Sequence, residues 1–197
     1  ESSKPRNSLA KYLSFKNMIM SMNQKQVWNA IADQWNNFRQ IKFMPVYDFL
    51  ERYKPKQGKI LEIGCGNARN LIPFAKQNFE CHGIDFSEKM IEKSKEVSKK
   101  NNLAITLKKA DMSKLPYKDN QFDYILHISS LHHLNSEESI QKALNEAYRV
   151  LKSNGLMLLT VWNKLQSRFL LKPKDLFIPW KKNKNEFNRF YHLFDFF

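Results

Sequence analysis

The apolar positions of this chain change period several times, and each change marks an element. Val27, Trp28, Ile31, Trp35 and Phe38 recur at helical spacing and form an aromatic-rich face, for which core packing is the first reading. Phe43-Met44-Pro45-Val46 opens a second helix through Leu50, with Pro45 tolerated in its first turn. Five short apolar runs follow, at 59–63, 79–85, 104–110, 122–128 and 156–162, each with the character of a buried parallel strand. Helical patterns separate them: one around Leu71, Phe74 and Ala75, one from Ser87 to a lysine-rich end at Lys100, and one from Ser136 through Ile140, Ala143, Ala147 and Val150. Ser87 and Ser136 are N-cap candidates, Asn101-Asn102 ends one helix, and Asn154-Gly155 turns the chain into the fifth strand.

This alternation predicts an α/β fold, a mostly parallel twisted sheet with helices on both faces and right-handed crossovers. Beyond Trp162 the pattern breaks into a basic loop containing Pro173 and Pro179-Trp180, and the closing run from Phe190 to Phe197 leaves room for a sixth strand but not a seventh. The expected organisation is a basic N-terminal arm over residues 1–21 and one domain over 22–197, within which 163–189 is a basic insertion on the substrate side.

The first strand runs into Leu61-Glu62-Ile63-Gly64-Cys65-Gly66-Asn67-Ala68-Arg69-Asn70, a glycine turn entering a helical pattern. Gly64 and Gly66 remove Cβ atoms where a ligand would approach, and a helix beginning near Asn67 would offer unpaired N–H groups beside it. A glycine pair alone also fits an ordinary tight turn. Two later carboxylates alter the balance: Asp85 ends the second strand about 20 residues on, where an acidic side chain accepts ribose hydroxyls, and Asp111 ends the third. Ligands of open α/β sheets lie at such strand ends. Arg69 stands where a dinucleotide fingerprint has its third glycine, which argues against a pyrophosphate cofactor.

Glu62-x-Gly64-x-Gly66, Asp85 and Asp111-Met112 together resemble the motifs of class I S-adenosylmethionine-dependent methyltransferases over residues 58 to 163. The resemblance implies S-adenosylmethionine as cofactor, bound by Glu62, Gly64, Cys65, Gly66, Asn67, Asp85, Phe86, Asp111, Met112 and Ile128. Glu62 would orient its amino acid part, Asp85 its ribose and Asp111 its adenine edge, although each carboxylate taken singly also suits a cap or a surface.

Charge adds a second theme. The formal net charge is +14, yet residues 60–163 hold 14 basic and 12 acidic side chains, whereas 1–59 hold 11 and 4 and 164–197 hold 8 and 3. A near-neutral core between basic flanks suggests a polyanionic partner, and a well-solvated lysine-rich surface is the plain alternative. Cys65 and Cys81 are the only cysteines and lie in the core pattern. With no Cys-x-x-Cys pair, neither a zinc site nor a redox couple is expected, and both read as free thiols. No apolar run approaches the roughly 18 residues of a membrane span, so a soluble cytoplasmic protein is expected.

For an acceptor side the candidates are His132 and His133 after the fourth strand, together with Arg39, Trp162 and Arg168. A histidine there binds or deprotonates an acceptor, a guanidinium grips a carboxylate or phosphate, and an indole stacks on a base. Each has a packing alternative. Adjacent side chains diverge, so a two-histidine metal site is not expected.

A narrower resemblance rests on Ile31-Ala32-x-x-Trp35-x-x-x-Arg39, Asn67-x-Arg69-Asn70, Leu131-His132-His133-Leu134, Val161-Trp162, Phe177-Ile178-Pro179-Trp180 and Arg189-Phe190-Tyr191-His192. These look like the wobble-uridine tRNA methyltransferase family, which esterifies a carboxymethyl group on uridine 34. It implies tRNA as partner, held by Arg168, Lys172, Lys174, Trp180, Lys181, Lys182, Tyr191 and His192. It also implies a small zinc-binding activator subunit at an edge strand over 104–109, where Ile105 and Leu107 alternate with Thr106 and Lys108. A small-molecule methyltransferase and a noncatalytic RNA-binding protein on the same fold are the competing expectations.

Overall fold

The computed structural model describes residues 23–195, so the arm expected over 1–21 lies outside the described residues. Two helices come first, α1 (Gln24–Phe38) and α2 (Met44–Tyr53), followed by β1 (Lys59–Ile63), a short α3 (Ile72–Ala75), β2 (Glu80–Asp85), α4 (Glu88–Lys100), β3 (Ile105–Lys109), β4 (Phe122–Ile128), α5 (Glu137–Val150) and β5 (Leu151–Thr160). Then come β6 (Asp175–Lys182) and β7 (Asn185–His192). Five strands form one parallel sheet in the order β3-β2-β1-β4-β5, so β3 is an edge, as expected. The order reverses between β1 and β4, which opens a crevice at their carboxyl ends.

The sheet buries both faces because alternate residues point opposite ways. Ile60 packs with Val46 and Phe49 of α2 and Phe74 of α3, whereas Leu61 and Ile63 pack with Ala147 and Val150 of α5. Glu62 shares the parity of Ile60 and is 1% exposed, a carboxylate where an apolar residue would be expected. Ser87 and Ser136 cap α4 and α5 as anticipated, their hydroxyls accepting from the N–H groups of Met90 and Ser139.

Three local expectations are corrected. The helix anticipated near Asn67 begins later, as a 3₁₀ turn at Arg69–Leu71, because Ala68 adopts a left-handed conformation at φ 59°. Asn154-Gly155 does not precede β5 but lies within it: β4 advances from Phe122 to Tyr124 while the partner moves from Leu151 to Leu156, so the intervening residues bulge out. The basic loop is, from Asp175 onward, an antiparallel hairpin whose strands meet at Asn183-Lys184, with Asn183 at φ 56°. Leu176, Ile178, Trp180 and Lys182 face inward along β6, an alternation that Phe177 and Pro179 on the outer face disguise. Pro179 is tolerated because β6 is an edge strand. A sixth and a seventh strand therefore exist, but they stand apart from the parallel sheet.

α1 fastens that hairpin to the sheet layer. Its buried face, Val27, Trp28, Ile31 and Ala32, packs between Met90 of α4 and Phe187 of β7, as the helical spacing implied, while Phe38 is left 65% exposed. The Gln24 side chain donates to the Asn188 carbonyl and accepts from the Phe190 N–H, Trp180 donates its indole N–H to Gln34, and Lys182 donates to the Ala30 carbonyl. Lys182 is thus a tie within the fold.

Candidate active site

A cavity of about 390 Å³ opens at the carboxyl ends of β1, β2 and β4 and runs beneath α1 and β7. Its first half is acidic. Gly64 and Gly66 lie at φ 71° and 54°, which favours glycine, and a Cβ at Gly64 would overlap Ser130 while one at Gly66 would stand 2.8 Å from the Trp35 ring. The two glycines are thus required by protein packing as well as by any ligand. Asp85 accepts from the Gly66 N–H (3.0 Å) and the Ser87 N–H (2.9 Å), which fixes the loop and leaves lone pairs for other donors. Burial raises its pKa to about 6 against these bonds. Asn67 directs both amide hydrogens to Asn36 and the Arg39 carbonyl, so it clamps the loop to the end of α1.

Glu62 is the decisive group. One carboxylate oxygen accepts from Asn70 at 2.7 Å, the other is buried without a partner, and burial pushes the pKa up to about 8. A buried orphan oxygen lining a cavity calls for a hydrogen-bond partner from a ligand. Asp111, at the mouth, accepts from the Ser113 N–H at 2.7 Å, and Phe86, Met112 and Ile128 contribute apolar wall. Cys65 lines the same wall as a buried thiol whose pKa burial raises further, so it stays protonated.

The second half is aromatic and basic. Tyr191 stacks on both His132 (5.1 Å between ring centroids, 24° between planes) and Trp162 (4.3 Å, 19°), whose own rings lie 5.3 Å apart, and Trp162 also stacks on Phe169. Arg168 lies 4.4 Å over both Trp162 and Phe169. The His133 ring nitrogen Nδ1 donates to the Phe190 carbonyl at 2.8 Å. Burial lowers the pKa of His133 to about 4 and that of His132 well below its ordinary value, so both are neutral near pH 7. Arg39 reaches the cavity from the end of α1. Among the described residues no group of His, Cys, Asp and Glu is placed to hold a metal ion.

Every residue expected on the cofactor side lines this cavity, as do Arg39, His132, His133, Trp162, Arg168 and Tyr191. The rest of the expected RNA-contacting set lies elsewhere. Trp180 bonds Gln34 and meets Phe38 edge-on, Lys174 pairs with Asp195, and His192 bonds Asp175 at 2.6 Å. Lys172 and Lys181 are exposed. Residues not anticipated as site residues also line the cavity: Trp28 and Trp35, counted as core, and Arg69, Asn70 and Arg189. Helical spacing puts both tryptophans on the apolar face of α1 but does not distinguish core packing from cavity lining.

The methyltransferase-domain family model matches residues 61–159. A tRNA (carboxymethyluridine(34)-5-O)-methyltransferase of Arabidopsis thaliana is 36% identical over 139 residues, 70% of this chain and 32% of that protein. The chain therefore spans about a third of that relative's length. A ubiquinone biosynthesis O-methyltransferase of Pelagibacter ubique is 34% identical, covering 73% of this chain and 67% of that protein. The CcbJ methyltransferase of Streptomyces caelestis superposes with a TM-score of 0.70 over 88% of this chain and 83% of that one, at 15% identity, a likeness of fold alone. S-adenosylmethionine, the methyl donor, carries an α-ammonium and ribose hydroxyls, and the orphan oxygen of Glu62 and the free lone pairs of Asp85 fit those two groups. The chain belongs to the class I S-adenosylmethionine-dependent methyltransferases.

Proposed function

We propose that this domain methylates the carboxylate of a carboxymethyl-type uridine at the wobble position of tRNA. The observation that carries the reading is the polarity of the cavity, with buried carboxylates at one end and guanidinium groups over an aromatic stack at the other. A planar base suits the rings of Trp162 and Tyr191, and an acid suits the guanidinium groups. The name of the Arabidopsis relative points the same way.

When bound, the cofactor supplies a methyl group on a positively charged sulfur. On this reading Glu62 takes its ammonium, Asp85 its ribose and Asp111 the adenine edge, between Phe86, Met112 and Ile128. The acceptor carboxylate is already ionised near neutral pH, so alignment matters more than a base. Neutral His132 and His133 then shape the pocket and exclude water. Exposed Lys172 and Lys181 supply phosphate contacts, and the β3 edge, with Thr106 and Lys108, takes the small zinc-binding activator subunit.

The test is mass spectrometry of tRNA nucleosides after incubation with enzyme and S-adenosylmethionine, with and without a candidate activator. A methyl ester of the carboxymethyluridine is expected. Its absence in both incubations, with activity on a small phenol, would favour the reading suggested by the Pelagibacter relative, in which a neutral histidine acts as base.

A further inference from the structure

Arg189 occupies a position where the fold calls for an apolar side chain. It shares one face of β7 with Phe187, which packs in the α1 core, and with Tyr191 in the cavity stack, and it is only 7% exposed. Its guanidinium lies 4.8 Å over the Trp180 ring, 5.4 Å over Tyr191 and 6.0 Å over Trp28, and Nη1 donates to the Tyr191 hydroxyl at 2.9 Å. Nε is buried without a partner. Among the described residues no carboxylate pairs with it, and the nearby charge that acts on it from α1 is another cation, Arg39.

A buried cation without a counterion is costly, and contacts with ring faces offset only part of that cost. The other cavity guanidinium groups differ. Arg69 feels the charge of Glu62 and donates to the Ile41 carbonyl, and Arg39 and Arg168 are exposed, where water screens them. Only a desolvated charge separates an anionic ligand sharply from a neutral one of the same shape.

We propose that Arg189 is the specificity-determining residue that selects the ionised acid as acceptor and rejects its neutral isosteres; this rests on the carboxylate-acceptor reading above. The missing counterion is the acceptor itself. In the transfer an oxygen of the carboxylate bonds to the methyl carbon as the carbon–sulfur bond breaks, so the acceptor's negative charge and the sulfur's positive charge disappear together and no proton is released. The neutral ester no longer pairs with Arg189, which favours its departure. Because that ion pair is strongest before transfer, its loss falls on KM and leaves kcat little changed.

The experiment compares anticodon stem-loops carrying 5-carboxymethyluridine, 5-carbamoylmethyluridine or plain uridine at the wobble position. Binding is measured by fluorescence with S-adenosylhomocysteine present, alongside KM and kcat for the acid. Wild type should prefer the acid over the amide by about tenfold or more, since the amide leaves a buried charge unpaired. Arg189→Met should lose that preference and raise KM, whereas Arg189→Lys, which keeps the charge, should retain most of it. If Arg189→Met discriminates as well as wild type, the Arg189 inference is wrong and the acceptor reading stands; if wild type itself shows no preference for the acid, both fail. Unchanged cofactor affinity certifies that the variants are folded. Should Arg189→Met not fold, Tyr191→Phe, which removes the hydroxyl that orients Nη1, should weaken the preference by a smaller factor, and no change there overturns the proposal.

Discussion

The two halves of the cavity are built in opposite ways. The half proposed for the cofactor is acidic, and Glu62, Asp85 and Asp111 each sit at or near the carboxyl end of a strand in the same sheet. The half proposed for the acceptor is aromatic and basic, and it gathers Arg39 from the end of α1, His132 and His133 from the loop after β4, Trp162 and Arg168 from beyond β5, and Arg189 and Tyr191 from β7. Neighbouring parallel strands hold the first half in register, and side-chain packing between separate elements holds the second. On the proposed function the difference also has an electrostatic sense: a cationic cofactor would be drawn to one end and an anionic acceptor to the other, so the charges of the cavity would orient both.

The acidic half is most vulnerable at Gly64. An alanine there adds a Cβ that overlaps Ser130 at a left-handed backbone position, so Gly64→Ala should cost about 2–4 kcal/mol of stability and abolish cofactor binding. A thermal melt with and without S-adenosylmethionine checks it, and a wild-type melting curve would mean that the loop relaxes. Next in size, Asp85→Ala should weaken cofactor affinity by about 1–3 kcal/mol, as ribose and loop lose a charged acceptor. Calorimetry reads this directly, and unchanged affinity removes Asp85 from the cofactor site.

Glu62 sharpens the same half through pH. Its folded pKa, about 8, lies above the ordinary 4.5, so the fold favours the protonated form. That contribution is fully present below 4.5 and is lost as pH rises through 8. Asp85, raised to about 6, has largely titrated by about pH 7, and His133, depressed to about 4, affects stability mainly below about 6.5. Between pH 7 and 8, therefore, the cofactor-free protein should lose about 1 kcal/mol through Glu62. Glu62→Gln should flatten the fall in Tm over that window, and equal slopes in both proteins would show that Glu62 is hydrated.

On the acceptor side, Trp162→Ala should reduce methyl transfer by about 1–2 kcal/mol of stacking while cofactor affinity stays within a few-fold. His132→Ala should behave similarly, since its ring packs against both Tyr191 and Trp162. Normal transfer by both would relocate the acceptor. The smallest effect is expected outside the cavity: replacing exposed Lys172, Lys181 and Lys184 with Ala should leave cofactor binding intact and reduce the slope of log K for tRNA against log salt by roughly 0.7 per lost contact to a single-stranded region. Identical slopes would make these lysines a solvated surface.

The acidic half of the cavity was legible in the chain because its signals are local. A strand, a glycine turn and a carboxylate about 20 residues on are read from order and period alone, and parallel pairing brings their ends together without further choice. The hairpin was not legible. Phe177 and Pro179 on the outer face of β6 mask the alternation, and the turn at Asn183-Lys184 lacks the glycine that usually announces one.

What the sequence determined by itself was the sheet, its helices and the acidic end of the cleft, since period and capping are properties of neighbouring residues. Tertiary structure alone decided that Trp28 and Trp35 overhang a cavity, that Lys182 and Trp180 tie the hairpin to α1 instead of facing solvent, and that Arg189 is buried with no carboxylate beside it among the described residues. The reason is physical: burial and counterion supply depend on which distant surfaces meet, and Gln24 meets Phe190 across 166 positions of chain whose separation no local period encodes.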